Sequence, residues 1–433
     1  MAETHKSATA DASSSTCDSD DDPLTIRALE TCGNSWQSTY AALHSSQVAS
    51  LTGGNKKPRI LLFDTSGNGG LADRLTGLMT ALLLAILTDR ALALDWPGYE
   101  AALATPRLNG NAALLSHART AAAKGEARRI EWLNANRKTL HAQISGAASF
   151  DALWPEPVLL VRSNRGFTQG LLRSPQGSHI ATAAAARGLT PDNGQFGCLF
   201  DFLLRPTDAA LEPFLPLLEA MRTRRDPSGG RASDEGGWLS SMWSGGEERP
   251  NVTVVGVHIR TGDSAFQQAA TAELAVERGK RLFESHKFIL EYAEGLAKKL
   301  AEAYTPPRVP RLLLLGDSDA LRSYAAKEYG ERIWMANASV GHIVFSQGAA
   351  KQKERNFQSA VAEHWLYSYA DAFAYSSHSG FPRTAACRAL LSEAIHTCFH
   401  YEGPLFNKDQ PTARECTGPY SVYQLGERHA AGL

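Results

Sequence analysis

From residue 251 onward, short apolar runs alternate with segments of helical period, and this alternation restricts the fold more than any other feature of the chain. Val252 to Ile259 reads as a strand buried on both faces, followed by an amphipathic helix from Arg281 to Tyr304 that sets Phe283, Phe288, Ile289, Tyr292 and Leu296 on one side. Strands at Leu312 to Leu315, Ile333 to Met335 and Ala372 to Tyr375 then alternate with helices at Asp319 to Tyr329, Asn356 to Tyr369 and Pro382 to Ile395. Such alternation predicts an α/β fold with a parallel, doubly wound sheet. Ligands of these sheets bind beyond the carboxyl ends of the strands.

The first half repeats the pattern less fully. Arg59 to Phe63 suits a buried parallel strand; a Gly-rich turn, an apolar helix over 70–88 and a second strand from Ala91 to Asp95 follow. The stretch 98–222 is rich in Ala and Leu and mostly helical in pattern, with one further strand at Val158 to Val161. Residues 1–55 are rich in Ser, Thr, Asp and Ala and predict a disordered segment, with at most a short helix before Trp36. Residues 223–250 carry Gly, Ser and charge and read as a linker. Two domains result, 56–222 and 251–400, with 401–433 as a tail.

Length and composition agree with two such domains: 433 residues, 43% of them apolar. With 44 basic against 45 acidic residues and no basic block, nucleic acid is not an expected partner. Six cysteines without a CxxC pair argue against a zinc ribbon. Cys387, Cys398 and Cys416 cluster near the C-terminus, either as one bridge in an oxidising compartment or as buried thiols. The apolar run Leu75 to Leu87 is too short to cross a bilayer. The opening residues hold no apolar signal core, so either the protein is not secreted or the sequence omits a targeting segment. Asn251-Val252-Thr253 and Asn337-Ala338-Ser339 fit the glycosylation pattern.

Four motifs carry chemistry. Thr65 to Arg74 places Gly67, Gly69 and Gly70 between a strand and a helix, where backbone can approach a ligand or simply turn. Gly256-Val-His-Ile-Arg-Thr-Gly-Asp263 ends a buried strand in Arg260, with His258 on the same face. A guanidinium there suits diphosphate oxygens or a structural ion pair. Asp263, just past the strand, is a candidate general base. Asp317-Ser318-Asp319 matches a metal-diphosphate pattern, yet Asp319 also stands where a helix N-cap belongs, which is the preferred reading. Finally, Glu363 leads through Asp371 to the Ser-rich turn Ser377 to Phe381, whose hydroxyls and helix start can hold phosphate or merely cap the helix.

The second and fourth motifs together resemble the fucosyltransferase superfamily, which includes the plant xyloglucan, core α1,6-, rhizobial nodulation and protein O-fucosyltransferases. Leu83 to Asp95, the Arg-x-x-Asp of Arg260 and Asp263, and Glu363-x-Trp365-Leu366 look most like the plant cell-wall group. In the family a helical acidic residue precedes a serine by sixteen positions with an Asp midway, and Glu363, Asp371 and Ser379 keep both intervals. The resemblance covers about 60–95 and 252–395. It implies a GT-B fold of two Rossmann-like domains facing a cleft, GDP-fucose as donor, a glycan or glycoprotein acceptor, inverting transfer, no metal and no other cofactor, in the Golgi or secretory lumen. It implies that Arg260 and Ser379 grip the diphosphate, with Ser377, Gly380 and Phe381 around them, and that His258 and Glu363 face the nucleoside. Gly67, Gly69, Gly70 and Arg74 would form the cleft loop. The chain departs from the family where Ala72 and Asp73 replace Gly and Asn in that loop, where Gln268 replaces a Glu, and where His258 replaces a Gln. Asp263 is then the expected base. Two rival functions share these motifs: a GT-B transferase with another nucleotide sugar, and a nucleotide- or carbohydrate-binding protein without catalysis.

Overall fold

The computed structural model describes residues 22–53, 57–65, 69–133, 137–164, 166, 168–223, 251–261, 272–336, 350–377, 379–400 and 414–420. The first half contributes β1 (Ile60–Asp64), β2 (Ala91–Asp95), β3 (Leu103–Ala104), β4 (Ala127–Trp132), β5 (Val158–Ser163) and β6 (Arg205–Pro206). A four-stranded, all-parallel sheet runs in the order β2-β1-β5-β4, and β3 pairs with β6 apart from it. Strand β4 lay unseen in a stretch read as helical, because the exposed Arg128, Arg129 and Glu131 of this edge strand break its apolar run.

Alternating side chains of β1 feed two cores. Leu61 and Phe63 pack with the helix Leu71–Leu87, buried throughout from Gly77 to Leu87; an apolar helix of this length is the middle of a domain. Among the described residues, no helix is long and apolar enough to cross a membrane. Ile60 and Leu62 face the opposite way, onto Leu114, Ala118 and Ala121 of the helix Asn111–Ala123.

The second half holds β7 (Val252–Ile259), β8 (Val309–Gly316), β9 (Ile333–Trp334), β10 (Ala372–Ser376), β11 (Ile395–His400) and β12 (Arg414–Tyr420), in the order β12-β11-β10-β7-β8-β9. All pair in parallel except β11 with β12. Every residue of the central β7 is buried, so helices must cover both faces, as its unbroken apolar run requires. Gly256 leaves room for this packing, since a Cβ there would lie 2.8 Å from the Tyr367 ring. The helix predicted from Asp319 to Tyr329 has those bounds, while its longer neighbours extend over Ala272–Glu302 and Ala350–Tyr367.

Three expectations are corrected. The N-terminal segment is not disordered over its whole length: Pro23–Cys32 and Ser35–Gly53 are helices, and residues 1–21 lie outside the described part. A stripe of Trp36, Tyr40 and His44 at a spacing of four buries one face, hidden in the sequence by Ser and Thr around it. This stripe covers the edge strand β2: Leu92 N–H donates to the Tyr40 hydroxyl at 3.0 Å, Tyr40 donates to Arg90 O at 3.1 Å, and His44 Nε2 lies 3.0 Å from Leu92 O. Asn111 completes the cover by bonding both backbone groups of Leu94. An open strand edge is thereby satisfied without another strand. The second correction concerns 382–395, where the helix Gly380–Arg388 is shorter and Ile395 already belongs to β11; Leu390 and Glu393, at φ 54°, break the helical path between them. The third concerns the tail, of which 414–420 is β12, hydrogen-bonded to β11 and joined to it by the Cys398–Cys416 disulfide. Cys387 stays a thiol.

A second disulfide, Cys32–Cys198, was not foreseen and spans 166 residues. It pins the first helix to the helix Phe196–Leu203. Closing so long a loop restricts the unfolded chain strongly. Cys32→Ser is therefore expected to lower the unfolding free energy by about 2–5 kcal/mol, read from urea melts at pH 7. Equal midpoints for variant and parent would show that packing alone holds the N-terminal helices.

Candidate functional site

The carboxyl ends of β7, β8 and β10 meet because these strands are adjacent and in register, with His258 beside both Leu315 and Tyr375. Arg260 leaves β7 at this edge. Its backbone N–H donates to Ser376 Oγ at 3.1 Å, and its Nε pairs with Asp317 Oδ2 at 3.1 Å. Asp317 follows β8, and its Oδ1 accepts from Thr261 N–H at 2.7 Å and Thr261 Oγ1 at 2.8 Å. The Arg260 side chain is 35% exposed while Asp317 is 6% exposed, so a buried carboxylate anchors a guanidinium that still reaches solvent.

The expected helix cap falls within Asp317-Ser318-Asp319 but one residue before Asp319. Ser318, not Asp319, caps the helix, accepting from Leu321 N–H at 3.3 Å. Asp319 adds charge to the first turn, where the helix dipole favours it. Asp317 commits both carboxylate oxygens to the turn after β7.

Beyond β10 the chain makes the predicted Ser-rich turn. Ser377 N–H donates to Cys398 O at 2.9 Å, Ser379 N–H to Ser376 O at 3.0 Å, and Ser379 precedes the helix Gly380–Arg388 without a side-chain cap bond. Ser379 is buried, and the buried Ser377 Oγ has no hydrogen-bond partner among the described residues. Phe381, in the first turn, lies 5.4 Å from the His258 ring and 5.5 Å edge-on from His364. His258 Nδ1 is likewise buried, with no hydrogen-bond partner among the described residues. Buried polar atoms left unpaired cost free energy and mark places a ligand can satisfy.

Glu363 sits on the helix Ala350–Tyr367, buried, with Oε1 bonded to Arg322 Nη1 at 2.9 Å. Burial pushes its carboxyl above the ordinary range, against the opposing pull of the Arg322 charge and hydrogen bond. Asp371, midway in the Glu363-to-Ser379 interval, is at the other end of β10 and accepts from Val254 N–H at 2.7 Å, a structural role.

The Gly-rich turn approaches this edge from the first half. A Cβ at Gly380 would lie 3.3 Å from Ala72 Cβ, so the starts of two helices abut. A Cβ at Gly69 would lie 2.2 Å from Asp73 Oδ2, so a larger residue there would make the Asp73 carboxylate move. Gly70 precedes the helix in extended conformation. Arg74 bends back, bonding Gly69 O at 3.2 Å and resting over Trp96, and burial lowers its pKa. Gly67, Asp263 and Gln268 lie outside the described residues.

The structure therefore brings Arg260, Ser377, Ser379, Gly380, Phe381 and His258 to one edge and links Glu363 to it through Arg322. Sequence reasoning missed Arg322, Thr261 and Ser376. The one signal for Arg322 was an arginine within the buried stripe of a helix, Leu321, Arg322 and Ala325. A cavity of about 170 Å³ on the first sheet, between Asp64, Asp95, Arg119 and Arg162, holds none of these groups.

No family model and no curated protein matches the chain. Among solved structures, it is similar to an arginine-to-lysine mutant of Arabidopsis thaliana FUT1 in complex with GDP, with TM-score 0.52 and 14% identity over 90% of this chain and 82% of that one. Looser likenesses, which carry no weight here, are to the fucosyltransferase NodZ from Bradyrhizobium (TM-score 0.39, 13% identity, 79% of this chain and 96% of that one) and to POFUT1 in complex with GDP (TM-score 0.38, 13% identity, 79% and 98%). The FUT1 likeness establishes the fold: the chain has the mixed α/β GT-B architecture expected of it, with one all-parallel sheet and one parallel but for β12.

The site's histidines give a pH signature. Burial and nearby arginines lower His258, and burial and Arg388 lower His364, each to about 3. In the unfolded chain both titrate near 6.5, so between 6.5 and about 3 the unfolded state binds more protons. Stability is then whole above the unfolded value and falls with decreasing pH, by roughly 2 kcal/mol per histidine at about pH 5. His364→Gln, which can still bond Thr384, should lose about 2 kcal/mol less than the parent between pH 7 and pH 5. Identical pH slopes in urea melts would mean His364 is not held neutral.

Proposed function

We propose that the protein is a fucosyltransferase that moves fucose from GDP-fucose to a glycan or glycoprotein acceptor, with inversion and without a metal. The observation that carries this reading is Arg260, anchored by Asp317 at the carboxyl edge of the second sheet beside the Ser377 to Phe381 turn. It is supported by the fold shared with FUT1, whose solved structure holds GDP, and by the sixteen-residue Glu363-to-Ser379 interval.

In this reading Arg260 and the helix start at Ser379 take the negative charge that develops on GDP as the glycosidic bond breaks. The unpartnered Ser377 Oγ and His258 Nδ1 supply further polar contacts to the nucleotide. Glu363 receives the N1–H and N2–H edge of guanine, which alone among the bases offers two such adjacent donors. Asp263 takes the acceptor proton, directly or through water. Because Asp317 already spends both oxygens on Arg260 and Thr261, its role favours an arginine-based field over a metal. Two disulfides fit an oxidising compartment such as the secretory lumen.

Transfer of labelled fucose from GDP-fucose to a glycan panel tests the reading, with GDP-mannose and UDP-sugars as competitors. Arg260→Ala should cost about 2–4 kcal/mol of transition-state stabilisation, or roughly 30- to 1,000-fold in turnover, with Arg260→Lys also poor. Near-parental turnover in both would remove Arg260 from the site. Activity should withstand EDTA; a strict Mn²⁺ requirement would overturn the metal-independent mechanism.

Asp263→Asn and Glu363→Gln should fail differently. The first should lower kcat with little change in GDP affinity, since its amide cannot accept the proton. The second should weaken GDP binding and relax discrimination among nucleotides. Calorimetry beside turnover separates them, and the opposite pattern would reverse the two roles.

A further inference from the structure

We propose that Arg322 is the positioning residue for the base-reading carboxylate, and that the 317–322 segment sets the phosphate-side arginine and the base-side carboxylate as one unit. The inference rests on the donor reading above and names how that site achieves selectivity for guanine.

Arg322 is 4% exposed, an always-charged group deep in the second half. Its Nη1 donates to Glu363 Oε1 at 2.9 Å and its Nη2 to Ala336 O at 2.5 Å. A buried ion pair of this kind adds little stability over apolar residues of the same size, because desolvation offsets the attraction. Its geometry instead fixes a carboxylate. An ionised carboxylate has about four acceptor positions; Arg322 occupies one on Oε1, and among the described residues none donates to Oε2.

The charge state matters as much as the direction. The guanine edge presents only donors, so its partner must be ionised. Burial and Asp319 push the Glu363 carboxyl up, and Arg322 opposes them. His258, another titratable group near Arg322, stays neutral and adds no positive charge.

The same short segment serves both ends of the nucleotide. Asp317 holds Arg260 and Thr261; Ser318 starts the helix, its carbonyl accepting from Arg322 N–H at 3.1 Å; one turn on, Arg322 holds Glu363. The distance between phosphate grip and base grip is thus set by one helical turn, the most rigid spacer a chain can make of so few residues.

Calorimetric titration with GDP and with IDP, which lacks the 2-amino group, tests this on the full chain. The parent should prefer GDP by roughly 10- to 100-fold, the worth of one hydrogen bond to a charged group. In Arg322→Gln that preference should shrink below about threefold, while inorganic diphosphate binds as in the parent. GDP affinity of this variant should also rise with pH as Glu363 ionises, more steeply than in the parent, and this extra slope should vanish in Arg322→Gln/Glu363→Gln. If Arg322→Gln does not fold, Arg322→Lys carries the test, since it keeps the charge but cannot hold both partners: a reduced GDP-over-IDP ratio supports the proposal. A parental ratio in whichever variant folds overturns it. A parent that binds neither nucleotide overturns the donor reading itself, and a parent that binds both equally removes Glu363 from the base.

Discussion

The Asp317 carboxylate closes the carboxyl edge of the second sheet. Strand β7 is buried along its whole length, and the first residue past it is an arginine that cannot shed its charge. Such a group needs a counter-charge or water. Asp317 supplies the counter-charge from β8 while Ser376 receives the backbone N–H from the β10 side. Three strand ends are tied in this way, and the turn after β7 gains a defined path. As the guanidinium remains a third exposed, solvent screening keeps the pair modest in stability. Its consequence is direction: the fork is held where it can meet an incoming anion.

The two halves do not meet loosely. Phe200 stacks on His364 at 5.6 Å, the Trp96 ring lies tilted 5.7 Å from Phe357, and Arg388 lies 5.6 Å over the Phe200 ring. One apolar core runs through both. The N-terminal helix adds polar ties across the same seam: Tyr369 donates to the buried Asp22 carboxylate at 2.8 Å, and Arg27 Nη1 donates to Ala389 O at 2.7 Å. A segment that looks dispensable by composition therefore bridges the halves near the helix Gly380–Arg388 that begins at the site. Its two helices cover the edge of one sheet and brace the other.

Local pattern made the central strands legible. Val252–Ile259 and the helix Asp319–Tyr329 have the bounds their apolar periodicity implies, since burial on both faces of the strand and the helical spacing leave little choice. Strand β4 and the helix Ser35–Gly53 were not legible, because each buries a narrow face amid polar residues and owes its form to what it covers. Of the site, the residue types and their order were readable: an arginine past a buried strand, a serine turn before a helix, an acid sixteen residues upstream.

Partnership was not readable. Charged side chains choose partners by distance in space, and the ion pairs that organise this site, Arg322–Glu363 and Arg260–Asp317, lie 41 and 57 residues apart in sequence. Nothing local distinguishes Asp317, which anchors the arginine turn, from Asp319, which faces the start of a helix, though two residues separate them. Nor does spacing reveal that Asp371, midway between Glu363 and Ser379, is turned to the far end of its strand to cap Val254. The sequence by itself determined which segments would become strands and helices and which chemistry their ends could offer, because those follow from periodicity and residue type. Only the tertiary structure decided which charges neutralise one another and which remain exposed, because that balance depends on packing the strands side by side.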